Sequence, residues 1–153
     1  MLSFGGTKNG ALGFEAVLVM SEELAVGAQY QRKQQMQLAS KMRYLAAQAT
    51  ALLTDDLWLV NARHANAMAD RLAGAVGGLP GVGLAYPVQS NGVFAEISRQ
   101  QARRLSQDWN FHVWSEGTDD SCVVRWMTAF DTSAADVDGL AAAVKATAVS
   151  RET

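Results

Sequence analysis

The feature that most constrains this chain is a glycine-rich loop that carries a lysine between two short strand-like segments. Residues 2–4 are typical of the end of a strand, and residues 14–20 predict a short, largely buried strand. The loop between them is Gly5-Gly6-Thr7-Lys8-Asn9-Gly10. A lone pair of strands is marginally stable in water. We therefore interpret residues 1–20 as the edge of a larger sheet domain, whose other strands this chain does not contain.

Composition narrows the class of protein. With 49% hydrophobic and 18% charged residues, a chain of 153 residues can bury a sizeable core. The net charge of -2 argues against nucleic-acid binding, which needs a basic excess. No apolar run approaches the roughly 18 residues of a membrane span, so we expect no membrane partner. One cysteine and two histidines predict neither a disulfide framework nor a metal site, and they favour the cytoplasm.

Residues 21–78 are interpreted as a helical connector. Good helix formers dominate residues 21–53, which predicts one or two helices with a break near residues 34–40. Acidic residues at Asp55-Asp56 favour a helix start, and apolar side chains then keep helical spacing over residues 57–76.

Residues 79–153 predict a small C-terminal α/β domain. Ser98 with Gln101, and Ser133 with Asp136, are capping signals for two helices. A polar loop is expected at residues 115–121, and short strands are expected at residues 82–87, 93–97, 111–114 and 122–127. We therefore predict a short antiparallel sheet flanked by helices.

Lys8 has the clearest chemical potential. Glycines around it allow close approach to a ligand. A phosphate-binding P-loop is excluded, because that motif places Ser or Thr after the lysine and this chain has Asn9. A lysine amine can instead form a Schiff base with a carbonyl compound. On the residues alone, a solvated turn lysine is the alternative.

Two other side chains carry weaker signals. His64 is expected to be a packed, hydrogen-bonded core residue rather than a catalytic base. Cys122 has no histidine close to it in the sequence, so we expect a buried small hydrophobe rather than a nucleophile.

Residues 3–10 closely resemble the lysine motif of the bacterial low-specificity threonine aldolases. That family belongs to the aspartate-aminotransferase superfamily of fold type I pyridoxal-phosphate enzymes. Further similar segments follow in the order and spacing of the family: Arg32-Lys33-Gln34, residues 41–48, residues 64–69, residues 90–95 and residues 124–128. The resemblance covers essentially the whole chain.

The resemblance implies an α/β fold in three parts. Residues 1–20 would be the last strands of a fold type I large domain and would carry the cofactor lysine. Residues 21–78 would be connector helices, and residues 79–153 the small C-terminal domain with its short antiparallel sheet.

The resemblance also implies roles for individual residues. Lys8 would hold pyridoxal 5'-phosphate as a Schiff base, with Arg43 near the phosphate and Thr7 offering it a hydroxyl. Arg125 would grip the substrate α-carboxylate, since a guanidinium pairs with both oxygens at once, and Asn91 would contact the substrate. The residues alone also allow turn roles for Thr7 and Asn91, an ion pair for Arg125 and a surface charge for Arg43.

The implied reaction is aldol cleavage of threonine or a related β-hydroxy-α-amino acid to glycine and an aldehyde. The alternatives are a related β-eliminating lyase and a non-catalytic remnant or interaction module. Family members place a ring-stacking aromatic residue, an aspartate for the pyridine nitrogen and the phosphate cradle before the lysine. Only seven residues precede Lys8 here. We therefore expect the C-terminal portion of such an enzyme, inactive alone, with a complementing N-terminal half or homo-oligomeric copies as partners.

Overall fold

The computed structural model describes residues 1–117 and 120–148. Residues 118–119 of the predicted polar loop and residues 149–153 of the predicted small domain lie outside the described residues. Within the described part of the chain, no helix combines the length and the apolar character needed to cross a bilayer.

The chain divides into two compact units, Met1–Asn61 and Ala62–Thr153. The division falls inside one long helix, α4 (Leu57–Val76). All the buried residues of α4 lie in its second-unit part: Ala65, Ala69, Leu72, Ala73 and Val76. The expected boundaries after residues 20 and 78 stay predictions.

The first unit opens with a two-stranded antiparallel sheet, in which β1 (Leu2–Gly5) pairs with β2 (Glu15–Leu18). Phe14, immediately before β2, is only 7% exposed, but Val17 is 61% and Leu18 is 48% exposed. The prediction of a largely buried strand at residues 14–20 is therefore wrong within this unit. The physical reason is that a two-stranded sheet has no further layer of its own to cover its faces.

Helices make up the rest of the first unit: α1 (Glu22–Ala25), α2 (Ala28–Gln34), α3 (Met42–Leu53) and a 3-10 turn (Thr54–Asp56) before α4. The predicted helical stretch is confirmed, and so is its break, at residues 35–41. The predicted number of one or two helices is wrong, because Gly27, with a φ angle of 77°, separates α1 from α2 and makes three helices before the 3-10 turn. Met36 and Lys41 have positive φ angles of 54° and 59°, a conformation that does not continue a helix and that interrupts the chain between α2 and α3.

The second unit is a four-stranded antiparallel sheet packed against helices. The strands lie in the order β3-β4-β6-β5. Their bounds are β3 (Gly83–Leu84), β4 (Gly92–Ser98), β5 (His112–Glu116) and β6 (Ser121–Met127), and the helices are α5 (Arg99–Leu105) and α6 (Ala134–Thr147). The predicted α/β class with a short antiparallel sheet is confirmed. The strand expected at residues 82–87 is shorter than predicted, since only Gly83 and Leu84 pair with β4.

The core of the second unit lies on one face of this sheet. Alternate residues of β4 and β6 point into it, because side chains alternate between the two faces of a strand. The strand residues buried there are Val93, Ala95, Ile97, Cys122, Val124 and Trp126, and the helices cover them with Leu72, Val76, Ala102, Leu105, Val137 and Val144. The opposite face carries residues of intermediate or full exposure, among them Phe94 and Arg125.

Both predicted helix caps are present. The Ser98 hydroxyl accepts a hydrogen bond from the Gln101 backbone N–H at 3.0 Å. At α6 the bonding is reciprocal: the Ser133 Oγ accepts from the Asp136 N–H at 3.2 Å, and an Asp136 carboxylate oxygen accepts from the Ser133 N–H at 2.8 Å. The Ser133 hydroxyl also donates to that carboxylate oxygen at 2.6 Å. This bond first, and then the bond from the Ser133 N–H, lower the pKa of Asp136, because both favour the ionised carboxylate.

The α6 cap predicts a pH-dependent loss of stability. We expect Ser133→Ala to lower the free energy of unfolding by about 1 kcal/mol at pH 7. Because the pKa of Asp136 is lower in the folded chain, the stabilisation by its carboxylate is present above the unfolded pKa, near pH 4, and is lost as the pH falls below it. Urea unfolding of the wild type and Asp136→Asn should therefore differ at pH 7 and converge below about pH 4.

The matched control is Ser40→Ala, at an exposed serine that makes no hydrogen bond among the described residues. Its stability should equal that of the wild type. A constant gap between wild type and Asp136→Asn from pH 7 to pH 3 would contradict the cap's role.

Candidate functional site

Lys8 lies in a tight turn between β1 and β2. Residues Thr7–Asn9 form one turn of 3-10 helix. The Gly6 carbonyl accepts hydrogen bonds from the N–H of Asn9 at 2.9 Å and of Ala11 at 3.1 Å. Gly10 closes the turn with a φ angle of 100°, and its N–H donates a hydrogen bond to the Thr7 carbonyl at 3.3 Å. The backbone that carries the lysine is therefore held by its own hydrogen bonds rather than free to sample many conformations.

Glycine is required at Gly6 for packing. The Gly6 N–H donates to the Phe14 carbonyl at 3.1 Å, and a Cβ added at Gly6 would overlap the Phe14 ring. Phe14 is buried directly before β2, and its ring also contacts the Phe4 ring at a centroid distance of 6.1 Å. The glycine thus brings the start of the lysine turn directly onto the aromatic pair.

Side-chain amides fasten the same loop to the helices of the first unit. The Asn9 amide donates to the Trp58 carbonyl at 3.0 Å. The Asn61 amide donates to the Asn9 backbone carbonyl at 2.9 Å and to the Asn9 Oδ1 at 3.3 Å. At the far end of the loop, the Gly13 N–H donates to the Gln48 Oε1 at 3.1 Å. Sequence reasoning missed this network, since its partners are 35 to 52 residues apart.

The Lys8 amine is available for chemistry. Lys8 is exposed, and among the described residues it makes no hydrogen bond or ion pair. Thr7 is also exposed, and its hydroxyl has no hydrogen bond in the described part of the chain. Both side chains are therefore accessible to a ligand, and the roles predicted for them stay predictions.

Arg43 lies in the first turn of α3, in the same unit as Lys8. Its guanidinium lies 4.8 Å from the centre of the Tyr44 ring, and both side chains are exposed. Within the described residues the guanidinium has no carboxylate partner. It can therefore meet an anion such as a phosphate, which is the role that the resemblance implies and which stays a prediction.

Arg125 has an unusual environment in the second unit. It stands mid-strand on β6, between Phe94 of β4 and His112 of β5. Its guanidinium lies over the Trp114 ring at 5.2 Å, and its Nε is buried with no hydrogen-bond partner within residues 1–117 and 120–148. Among the described residues it makes no ion pair, so the strand-end ion pair that the residues alone allowed is absent from this part of the chain. A buried donor left unpaired is unfavourable, and an anionic ligand would relieve it.

Trp114 itself was missed by sequence reasoning. It lies at an irregularity of β5, where the pairing with β6 shifts between Val113 and Ser115. Its ring also packs edge-on against Phe94 at 5.3 Å. A bulge interrupts the two-residue alternation of a strand, so the hydrophobic pattern does not reveal the residue that occupies it. The sequence hints at Trp114 only through its aromatic side chain in a short predicted strand.

Asn91 serves the backbone directly before β4. Its amide donates to the Thr128 carbonyl at 2.7 Å, and its own carbonyl accepts from the Thr128 N–H at 3.0 Å. This is a turn-stabilising role of the kind the residues alone allowed. The substrate contact implied by the resemblance stays a prediction.

Two further side chains of the second unit, His64 and Cys122, differ in burial. His64 is exposed, so the expectation of a packed core histidine is wrong, although its Nε2 does lie 2.7 Å from the Thr132 carbonyl. Cys122 is buried as expected, and burial raises the pKa of its thiol. The pKa shift disfavours the thiolate, which fits a core residue rather than a nucleophile.

The predicted site residues thus fall into two groups. Thr7, Lys8 and Arg43 belong to Met1–Asn61, whereas Asn91 and Arg125 belong to Ala62–Thr153. The first group offers an exposed amine on a hydrogen-bonded turn, together with a guanidinium that has no carboxylate partner in the described part of the chain. The second offers a half-buried guanidinium held by an aromatic ring.

The curated proteins and the solved structure to which this chain is similar are all threonine aldolases. No protein-family model matches the chain. The low specificity L-threonine aldolase of a Pseudomonas species is 42% identical over 147 residues, which cover 95% of this chain and 41% of that protein. The enzyme of the same name from Pseudomonas aeruginosa is 43% identical over 143 residues, covering 92% of this chain and 40% of that protein.

Among solved structures, a threonine aldolase from Leishmania major shares the fold with a TM-score of 0.89 and 25% identity, over 96% of this chain and 43% of that one. The chain therefore spans about two fifths of the length of the relatives it matches. This coverage is consistent with the expected C-terminal portion of a longer enzyme.

Proposed function

We propose that this chain, whose sequence and fold match a portion of the threonine aldolases, belongs to an enzyme that cleaves threonine or a related β-hydroxy-α-amino acid into glycine and an aldehyde. The observation that carries the proposal is the 42% identity to a low specificity L-threonine aldolase across 95% of the chain. The fold agreement with a third threonine aldolase, at a TM-score of 0.89, supports it.

Pyridoxal 5'-phosphate is the cofactor that the family implies, and the first unit fits it. The Lys8 amine is exposed, has no partner among the described residues and is carried on a hydrogen-bonded turn, so an aldehyde could reach it and form a Schiff base. Lys8 would hold the cofactor aldehyde, Arg43 would offer positive charge to the phosphate, and Thr7 would offer a hydroxyl. When bound, the pyridinium ring supplies an electron sink for the carbanion left by carbon–carbon cleavage.

Arg125 would bind the substrate α-carboxylate. The planar guanidinium can pair with both carboxylate oxygens, and charge-assisted hydrogen bonds of this kind are strong. The Trp114 ring, 5.2 Å from the guanidinium, restricts its orientation. A carboxylate held in a fixed direction sets which bond at the substrate α-carbon is aligned for cleavage, and this alignment is the contribution of Arg125 to the reaction.

The remaining catalytic groups would come from the part of the relatives that lies outside the region matched by this chain. The chain covers 41% and 40% of the two Pseudomonas enzymes, so a complete active site would need the complementary part, in the same polypeptide or in another chain. We propose that the chain is inactive by itself, that the complete enzyme is a cytoplasmic homo-oligomer, and that its partner molecule is the amino-acid substrate.

Product analysis tests the proposed reaction. The protein is assayed alone and after co-expression with the complementary three fifths of the Pseudomonas enzyme, with threonine and pyridoxal phosphate. We expect glycine and acetaldehyde in equal amounts from the complemented enzyme only. Release of 2-oxobutyrate and ammonia would instead identify a β-eliminating lyase, and no product from either sample would favour a non-catalytic interaction module.

A further inference from the structure

The turn that carries Lys8 is clamped by one face of helix α4. Trp58 and Asn61 are three residues apart in that helix and therefore share a face. Trp58 presents a carbonyl that accepts from the Asn9 amide at 3.0 Å. Asn61 presents an amide that donates to the Asn9 carbonyl at 2.9 Å and to the Asn9 Oδ1 at 3.3 Å. The helix thus offers one acceptor and one donor to the residue that directly follows the lysine.

We infer that Asn61 is a positioning residue, which sets where the Lys8 amine stands by fixing Asn9. The inference rests on the proposed function, in which that amine holds the cofactor. Asn9 is held at its N–H by the Gly6 carbonyl at 2.9 Å, at its carbonyl by Asn61, and at its side chain by Trp58 and Asn61. With its neighbour restrained on every polar group, the Lys8 backbone has one orientation, and only the side-chain torsions of the lysine remain free.

The chemistry of the clamp suits its place beside a reactive amine. Both amides are neutral and partly buried, so the clamp restrains the turn without offering a counter-ion to the lysine. A carboxylate at residue 61 would lose both donated bonds and would face two oxygen atoms of Asn9, which repel it. It would also add a negative charge next to the lysine turn. Asparagine at residue 61 is therefore not equivalent to aspartate.

The clamp is specific to the Lys8 end of the loop. The other anchor, from the Gln48 side chain, reaches Gly13, which is five residues beyond Lys8. Loss of Asn61 should therefore loosen the turn itself, whereas the far end of the loop stays attached to α3.

Two variants and a matched control test the inference. Asn61→Ala removes the donor, and Asn61→Asp keeps the size of the side chain but reverses its hydrogen-bonding role. Asn66→Ala makes the same change five residues further along α4, at an exposed side chain without a hydrogen bond among the described residues. Thermal unfolding of all three checks that the fold persists.

The first readout needs no cofactor. Hydrogen exchange is measured in the full chain at the amides that close the turn, those of Asn9, Gly10 and Ala11. We expect about tenfold faster exchange in Asn61→Ala, faster still in Asn61→Asp, and wild-type rates in Asn66→Ala. Unchanged exchange in both Asn61 variants would overturn the inference.

The second readout links the clamp to the lysine. The complemented enzyme is incubated with pyridoxal phosphate, reduced with borohydride, and digested so that the peptide carrying modified Lys8 can be quantified over time. We expect Asn61→Ala to slow labelling by about tenfold or more, because small displacements of a reacting group have large effects on rate. Asn66→Ala should label as the wild type does.

The outcomes separate the two proposals. Wild-type labelling at Lys8 with an unchanged rate in the Asn61 variants would leave the proposed function intact and overturn the positioning role. A wild type that is never labelled at Lys8 would overturn the proposed function, and the cofactor role of Asn61 with it. Slower labelling together with faster exchange, confined to the Asn61 variants, supports the inference.

Discussion

Replacing Lys8 by alanine is expected to lower threonine cleavage by the complemented enzyme by on the order of a thousandfold or more. The reason is that the amine is the only group of this turn that can attach covalently to a carbonyl compound. The amine is exposed, and the substitution removes no hydrogen bond or ion pair that it makes with the described residues. The thermal midpoint should therefore stay close to that of the wild type, so that a loss of activity can be assigned to chemistry.

Charge and nucleophilicity can be separated at this position. Lys8→Arg keeps a positive charge on a long stem, but the guanidinium stays protonated and cannot attack an aldehyde. We expect it to be as inactive as Lys8→Ala. The absorbance of the Schiff base between cofactor and protein, and borohydride labelling at this position, should disappear in both variants. They should persist in Lys145→Ala, which removes an exposed lysine from the last turn of α6. Activity within tenfold of wild type in Lys8→Arg would show that the amine is not the attachment point.

Replacing Arg125 by methionine is expected to raise the KM for threonine about a hundredfold, with a smaller effect on cofactor labelling at Lys8. A bidentate pair with a carboxylate contributes about 3 kcal/mol, which corresponds to roughly that factor in binding. Methionine retains an unbranched apolar stem against Trp114 and removes the charge. Steady-state kinetics with threonine, alongside a substrate analogue that lacks the carboxylate, measure the effect.

The same substitution makes a distinct prediction for stability. Replacing an arginine that stabilises the fold would lower the stability of the folded chain. Arg125, however, has no hydrogen bond or ion pair among the described residues, and its Nε is buried and unpaired there. Arg125→Met should therefore unfold at the same urea concentration as the wild type or a higher one. Arg71→Ala is the control, because it removes a surface ion pair with Asp138 at 2.8 Å and should leave the KM unchanged. Clear destabilisation by Arg125→Met with an unaltered KM would assign Arg125 to the fold instead.

Local patterns in the sequence predicted much of the second unit. Ser98 and Ser133 mark their helices because a cap depends on residues three positions apart. The long helix ends at Val76, directly before a glycine pair, as its apolar spacing indicates. The central strands β4 and β6 were recognisable because one side of each is buried against helices, which imposes a two-residue alternation.

The predictions failed where burial depends on what lies across the fold. The apolar residues of β2 are typical of a buried strand, yet no further layer of the first unit covers Val17 or Leu18. His64 follows the apolar spacing of α4 but is exposed. In both cases the pattern indicates which residues favour an apolar environment, but the neighbouring elements decide which residues obtain one.

The sequence by itself determined the kinds of residue available to the site. A lysine among glycines and the resemblance carried by residues 3–10, 41–48 and 124–128 are local properties, readable without any fold. Only the tertiary structure decided how those residues are held. The clamp of Asn61 on Asn9 joins residues 52 positions apart, and the Trp114 ring reaches Arg125 through a strand irregularity. Such contacts depend on the path of the backbone between their partners, and no spacing rule encodes that path.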